Sequence, residues 1–259
     1  MKYAICFFGL FRSFEKIYHL ILQNFKLNKN DKLDIFISTS NFNNKKYRFK
    51  EIKQEYFEKL ELENKIKKIV GDKLKCLTIM DDKNNNYDRW DRQINVLSNI
   101  DKYQKDNNFK YNKIILHRMD ILFVKWETAD KYYEDKKENI KRQNGVLYIN
   151  QYDFPVGVKE HGCCCIQNGP QNVDTYIDLN INLEENEIIC YEDYWIGHVP
   201  IDFLIFNTNI INYIITFYTN YKKKNYIKFN RLNKKINSIQ SYDSLGKEWW
   251  LYNDSKVNS

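Results

Sequence analysis

Residues 2–15 read KYAICFFGLFRSFE. The run KYAICFF (Lys2–Phe8) is apolar and stops at Gly9, which is a strand pattern with a breaker at its end. Ser13 suits a helix N-cap. Behind it Phe14, Ile17, Leu20, Ile21 and Phe25 recur at helical spacing. LDIFIST (Leu33–Thr39) then returns to a strand pattern. Strand, helix and strand in that order imply a right-handed βαβ unit with parallel strands. The expected fold class is α/β: a Rossmann-like, mixed but mostly parallel sheet flanked by helices.

The turn inside that unit has chemistry of its own. Free backbone N–H groups at a helix start favour anions, and the helix dipole adds to this. Gly9 lets a ligand approach the backbone closely. Arg12 offers a bidentate grip on phosphate. The plain alternative is a structural turn with Arg12 on the surface. The stretch is neither GxGxxG nor a Walker loop, which counts against ordinary dinucleotide and ATP sites.

Working outward, NFNNKKYRF reads as a polar loop, and Glu51–Val70 as a charged amphipathic helix closed by Gly71. KCLTIM (Lys75–Met80) is a third strand and DDKNNNY a polar loop. Trp90–Tyr103 carries Ile94, Leu97 and Ile100 at helical spacing. A fourth strand is expected over Tyr111–His117. GVLYIN (Gly145–Asn150) and IDFLIFN (Ile201–Asn207) read as strands, and Asn209–Tyr218 as an apolar helix behind Thr208. From Lys222 onward the chain is polar. No repeat and no Gly/Ser/Pro linker divides the 259 residues, so a single domain is expected.

The fourth strand runs into KIILHRMDILF (Lys113–Phe123), an apolar stretch that carries His117, Arg118 and Asp120. An isolated buried carboxylate costs several kcal/mol unless it is paired or bound to metal. One reading pairs Asp120 with Arg118 as a structural salt bridge. The other turns Asp120 into the ligand crevice, where it holds a divalent cation between two phosphates. Hard oxygen ligands suit Mg²⁺ or Mn²⁺, and few protein ligands are needed when phosphates complete the shell.

Composition narrows the classes. Hydrophobic residues make up 43% and aromatics 16%, which excludes a disordered chain. The net charge of +7 mixes 41 basic with 34 acidic residues and reads as a solvated surface with room for phosphate-bearing partners. The basic run Tyr221–Lys235 lacks a nucleic-acid-binding motif, so no nucleic-acid partner is expected. No apolar run approaches the roughly 20 residues of a membrane span, so no transmembrane segment is expected. The six cysteines form no CxxC pair, and Cys163, Cys164 and Cys165 are consecutive. That pattern fits a reducing, cytoplasmic setting. Zinc held by this trio and His161 runs against the spaced ligands of tetrahedral sites.

Taken together, YAICFFGLFRSFE, LDIFISTS and YNKIILHRMDILF resemble GT-A-type glycosyltransferases, closest to small viral and bacterial enzymes that build surface glycans. A G-x-x-R-[ST] turn is matched by Gly9, Arg12 and Ser13, and a D-[IV]-F-[IV] strand by Asp34–Ile37. A helix bearing Gln and Asn is matched by Gln93 and Asn95. The metal strand R-x-D-[IVL]-x-F is matched by Arg118, Asp120, Ile121 and Phe123, and a later D-x-[FL]-x-[IF] strand by Asp202–Phe206. Arg118 stands where the usual D-x-D has its first carboxylate, and Asn207 stands near a usual glycine.

The resemblance spans residues 1–215 and implies a nucleotide-sugar-binding half over 1–125 and an acceptor half over 126–220, with 221–259 as a polar C-terminal segment. It implies transfer of a sugar from a UDP- or GDP-linked donor to a hydroxyl of a glycan or glycoprotein. The location implied is the cytoplasm, the host's if the chain is viral. Gly9, Arg12, Ser13, Gln93 and Arg118 would hold the nucleotide. Asp120, and His198 as an additional ligand, would hold Mn²⁺ or Mg²⁺. Asp202, or failing it Asp193 beside Glu192, would be the general base. A loop or cap carboxylate is the alternative for each acid, and a surface histidine for His198. Tyr191, Tyr194 and Trp195 suit stacking on a sugar ring or the core. The competing classes are a degenerate nucleotide- or glycan-binding module, another phosphate-handling α/β enzyme and a basic nucleic-acid binder.

Overall fold

The computed structural model describes residues 1–11, 14–43, 46–47, 50–51, 55–82, 87–119, 121–123, 146–148, 177–180, 182–183, 187–190, 203–222, 238–242 and 249–252. Its centre is an eight-stranded sheet. We number its strands β1 (Lys2–Phe8), β2 (Lys32–Ser40), β3 (Leu74–Met80), β4 (Lys113–Arg118), β5 (Glu187–Cys190), β6 (Phe203–Asn207), β7 (Ser238–Tyr242) and β8 (Trp249–Tyr252). The helices are α1 (Phe14–Gln23), α2 (Lys59–Val70), α3 (Arg89–Asp106) and α4 (Ile211–Lys222). The order across the sheet is β8-β7-β5-β6-β4-β1-β2-β3. β3, β2, β1 and β4 run parallel. β6 is antiparallel to both β4 and β5.

β1 shows why the sheet forms. Parallel strands covered by helices on both faces must be apolar on both faces. Tyr3, Ile5 and Phe7 pack with Phe14, Ile17 and Ile21 of α1 and with Leu62, Ile66 and Val70 of α2. Ala4, Cys6 and Phe8 pack on the opposite face with Trp90, Val96, Leu97 and Ile100 of α3 and with Ile211, Ile214 and Tyr218 of α4. Each helix turns its apolar stripe to the sheet, as its spacing predicts. No described helix is long and apolar enough to cross a membrane.

The amino ends of the strands are fastened by paired polar groups. The Tyr111 hydroxyl donates to Asp34 Oδ2 at 2.7 Å. Burial first, and then the Asp34 carboxylate, pushes the Tyr111 phenol well up from its ordinary value. Lys113 Nζ donates to the Leu179 carbonyl at 2.5 Å, and Asn28 Nδ2 to Asn180 Oδ1 at 2.8 Å. The 177–180 segment is thereby tied to the first half of the chain.

The helix and the polar loop expected after β2 need correction. The helix expected over Glu51–Val70 starts only at Lys59. The chain before it pairs with the expected polar loop: Phe42–Asn43 with Glu55–Tyr56, and Lys46–Tyr47 with Lys50–Glu51. Phe57 N–H bonds back to the Asn41 carbonyl at 2.9 Å, which closes this excursion at its root and delays the helix. The polar C-terminal segment contributes β7 and β8, because Ser238–Tyr242 and Trp249–Tyr252 complete one another's ladders at the sheet edge. Ends elsewhere shift slightly; α3, for example, begins at Arg89 behind Asp88, which forms a capping box with Asp91.

Gly71 ends α2 as expected, with its N–H on the Lys67 carbonyl. Its φ of 64° and ψ of −145° lie in a region open essentially only to glycine. A Cβ there would meet nothing within 4 Å, so the backbone alone resists substitution. Gly71→Ala should cost about 1–3 kcal/mol. The check is a lowered urea midpoint with an unchanged m-value.

Candidate functional site

In the parallel part of the sheet, β2 and β3 lie on one side of β1 and β4 on the other. The winding reverses between β1 and β4, and an open α/β sheet binds ligands beyond the carboxyl ends of its strands at such a point. Phe8 and Arg118 are register partners there. The ladder continues past them, since Met119 N–H donates to the Phe8 carbonyl at 3.0 Å and Gly9 N–H to the Ser38 carbonyl at 3.3 Å.

Gly9 has a φ of +122°, where any side chain is strained. A Cβ at Gly9 would stand 3.7 Å from Arg118 Cγ and 3.9 Å from Met119 N. The bare glycine brings the backbone beside the aliphatic stem of the half-buried Arg118, with its own N–H bonded to the Ser38 carbonyl. An arginine beside a bare glycine turn suits an oxyanion such as phosphate.

The stretch Lys113–Phe123 proves to be two strands. β4 ends at Arg118, and Ile121–Phe123 pairs separately with Val146–Tyr148. The ionisable residues thus mark the break between two ladders. His117 is fully buried in the last turn of β4. The rings of Phe7, Phe203 and Phe25 surround it at 5.6, 5.5 and 6.0 Å between centroids.

The neighbouring strand ends are polar as well. Ser38, Thr39, Ser40 and Asn41 are all buried at the carboxyl end of β2. The hydroxyls of Ser38 and Thr39 have no hydrogen bond among the described residues. Ser40 Oγ accepts from Arg92 Nε at 3.0 Å and from Nη2 at 2.7 Å. Arg92 Nη2 also reaches Asp82 Oδ2 at 3.2 Å and the Tyr87 carbonyl at 3.1 Å. This brace joins the ends of β2 and β3 to the start of α3. Beside it Asn41 Nδ2 and the hydroxyl of the exposed Tyr56 both donate to Asp81 Oδ1, each at 3.2 Å. Desolvation first, and Asp81 second, hold the Tyr56 phenol above its ordinary value.

No family model and no curated protein matches the chain. The site is therefore read from its own residues. Of those expected, Gly9 and Arg118 come together at the switch point. Gln93 is fully buried, and its helix neighbour Asn95 accepts from Asn99, which also donates to Thr78. Arg12, Ser13, Asp120, Asp193, His198 and Asp202 lie outside the described residues, as do Glu192, Tyr191, Tyr194, Trp195 and the Cys163–Cys165 trio. The strand after Asp202 begins at Phe203, opposite His117, so β6 opens at the same end of the sheet as the crevice. Among the described residues, no three His, Cys, Asp or Glu side chains gather as a metal-holding group.

Sequence reasoning missed the brace. A signal was present: Arg92 falls four residues before the buried Val96, on the face of α3 that the apolar period sends to the core. The pair is deeply buried, with side-chain exposures of 7% for Arg92 and 2% for Asp82. Asp82→Ala would leave the guanidinium without its carboxylate and should cost about 3–5 kcal/mol. Equilibrium urea unfolding measures this; a loss below about 1 kcal/mol would show that the brace carries no ionic role.

Proposed function

We propose that the protein is a glycosyltransferase. It moves a sugar from a nucleotide-diphosphate donor to a hydroxyl of a glycan or glycoprotein acceptor. The observation that carries this reading is the turn at the switch point, where the bare Gly9 peptide stands beside Arg118. A diphosphate is the ligand part that such a turn suits best. The resemblance of Gly9–Ser13, Asp34–Ile37 and Arg118–Phe123 to GT-A enzymes supplies the rest.

In this reading Arg12, Ser13 and Arg118 grip the phosphates. Asp120, with His198, holds Mn²⁺ or Mg²⁺, a cation that phosphate oxygens complete and that needs no larger protein cluster. Held there by Asp120 and His198, such an ion would supply neutralisation of charge on the departing diphosphate. Asp202 takes the proton from the acceptor hydroxyl, with Asp193 as the second candidate. Arg118 in place of a first carboxylate favours one other reading, a nucleotide-binding module without turnover.

Isothermal titration with a panel of UDP- and GDP-sugars in Mn²⁺ should give dissociation constants of about 1 μM to 1 mM. Asp120→Ala should weaken binding, and silence across the whole panel would overturn the proposal. Asp202→Asn should keep donor affinity and lose about 10²–10⁴-fold in turnover. If turnover is unchanged, the role passes to Asp193. Slow donor hydrolysis by the wild type separates the enzyme from a binding module, which would show none.

A further inference from the structure

His117 is fully buried near the end of β4. Its Nδ1 lies 2.6 Å from the carbonyl oxygen of Arg118. A carbonyl only accepts, so Nδ1 carries the proton and donates it. The surrounding cage is aromatic: Phe7, Phe25 and Phe203 meet the imidazole at interplanar angles of 67°, 77° and 90°. In such a cage phenylalanine would fill the space without desolvating a polar ring. Phenylalanine could not, however, donate the Nδ1–H bond to the Arg118 carbonyl.

That N–H has a definite task. The described β4–β6 ladder ends with the pair His117 and Phe203, so the Arg118 carbonyl lies one residue past it. The N–H of the same peptide, that of Met119, is held from the other flank by the Phe8 carbonyl at 3.0 Å. The two bonds fix both ends of the Arg118–Met119 linkage where the chain leaves the main sheet. We propose that His117 is a positioning residue. It locks the Arg118–Met119 peptide so that the nucleotide's phosphates meet Arg118 in a preset arrangement, while never touching the ligand itself. The ligand half of this statement rests on the nucleotide-sugar reading of the crevice.

Two variants separate positioning from packing. His117→Phe keeps the ring and removes the donor. His117→Asn removes most of the ring and keeps an amide N–H near the place of Nδ1. Each is compared with wild type in UDP and GDP affinity with Mn²⁺, in melting temperature and in amide hydrogen exchange over residues 119–121. His117→Phe should stay folded, exchange faster at those amides and bind the preferred nucleotide about tenfold or more weakly. His117→Asn should melt lower yet bind more tightly than His117→Phe.

Wild-type affinity and exchange in His117→Phe would overturn the proposal. So would an affinity order that follows melting temperature, because packing alone would then explain both variants. Faster exchange with unchanged affinity would likewise refute the positioning of the ligand. If the wild type binds neither nucleotide, the functional reading fails and the ligand half fails with it. The exchange rates still decide whether His117 locks the turn.

Discussion

The constraint behind this molecule is that β1 is closed on four sides. Its two faces are buried by helices, and its two edges are taken up by parallel partners. Such a strand has nothing to offer solvent along its length. Only its ends remain, and polar residues at the sheet centre are pushed to one end or the other. Asp34 with Tyr111 and Lys113 with Leu179 lie at the amino end. Gly9, Ser38, Thr39, Ser40 and the Asp82–Arg92 brace lie at the carboxyl end.

The two ends are built differently. At the amino end, distant parts of the chain satisfy one another through short hydrogen bonds. At the carboxyl end, Gly9 takes a conformation closed to other residues, and two buried hydroxyls go without a hydrogen bond among the described residues. Buried polar atoms in native proteins are nearly always bonded. Local rules tend to be broken where function needs it. The contrast therefore points to the same end of the sheet as the strand order does.

Much of the fold was legible in the sequence, because β1, β2, α1 and α4 bury whole stripes and burial writes a clear period. The end of β4 at Arg118 was legible only as a puzzle: three ionisable residues in an apolar run. A sequence does not display that one apolar stretch is divided between two sheets, since pairing partners such as Val146–Tyr148 are far away along the chain. The helix start expected at Glu51 was misread for the same reason. The charged residues there suit a helix by local propensity, but pairing with Phe42–Asn43 and the Phe57 clasp decide otherwise. At the switch point, Gly9 and Arg118 were singled out from the sequence, and they lie side by side there. His117 was noticed for its charge, while the cage that gives it meaning is assembled from three separate strands, Phe7 on β1, Phe203 on β6 and Phe25 on the Phe25–Lys26 segment. Arg92 was passed over because its partners Ser40 and Asp82 come from two other strand ends.

The clasp between Phe57 N–H and the Asn41 carbonyl has a consequence for how this surface can change. It makes the connection between Asn41 and Phe57 a module whose two ends are joined beside the carboxyl end of β2. The entropy of closing a loop grows slowly with its length, by about 0.6 kcal/mol for each doubling. A module rooted in this way can be lengthened, shortened or exchanged while the strands below keep their register. The core is conservative by physics and this connection is inexpensive to revise, so new partners can be tried beside β2 without refounding the fold.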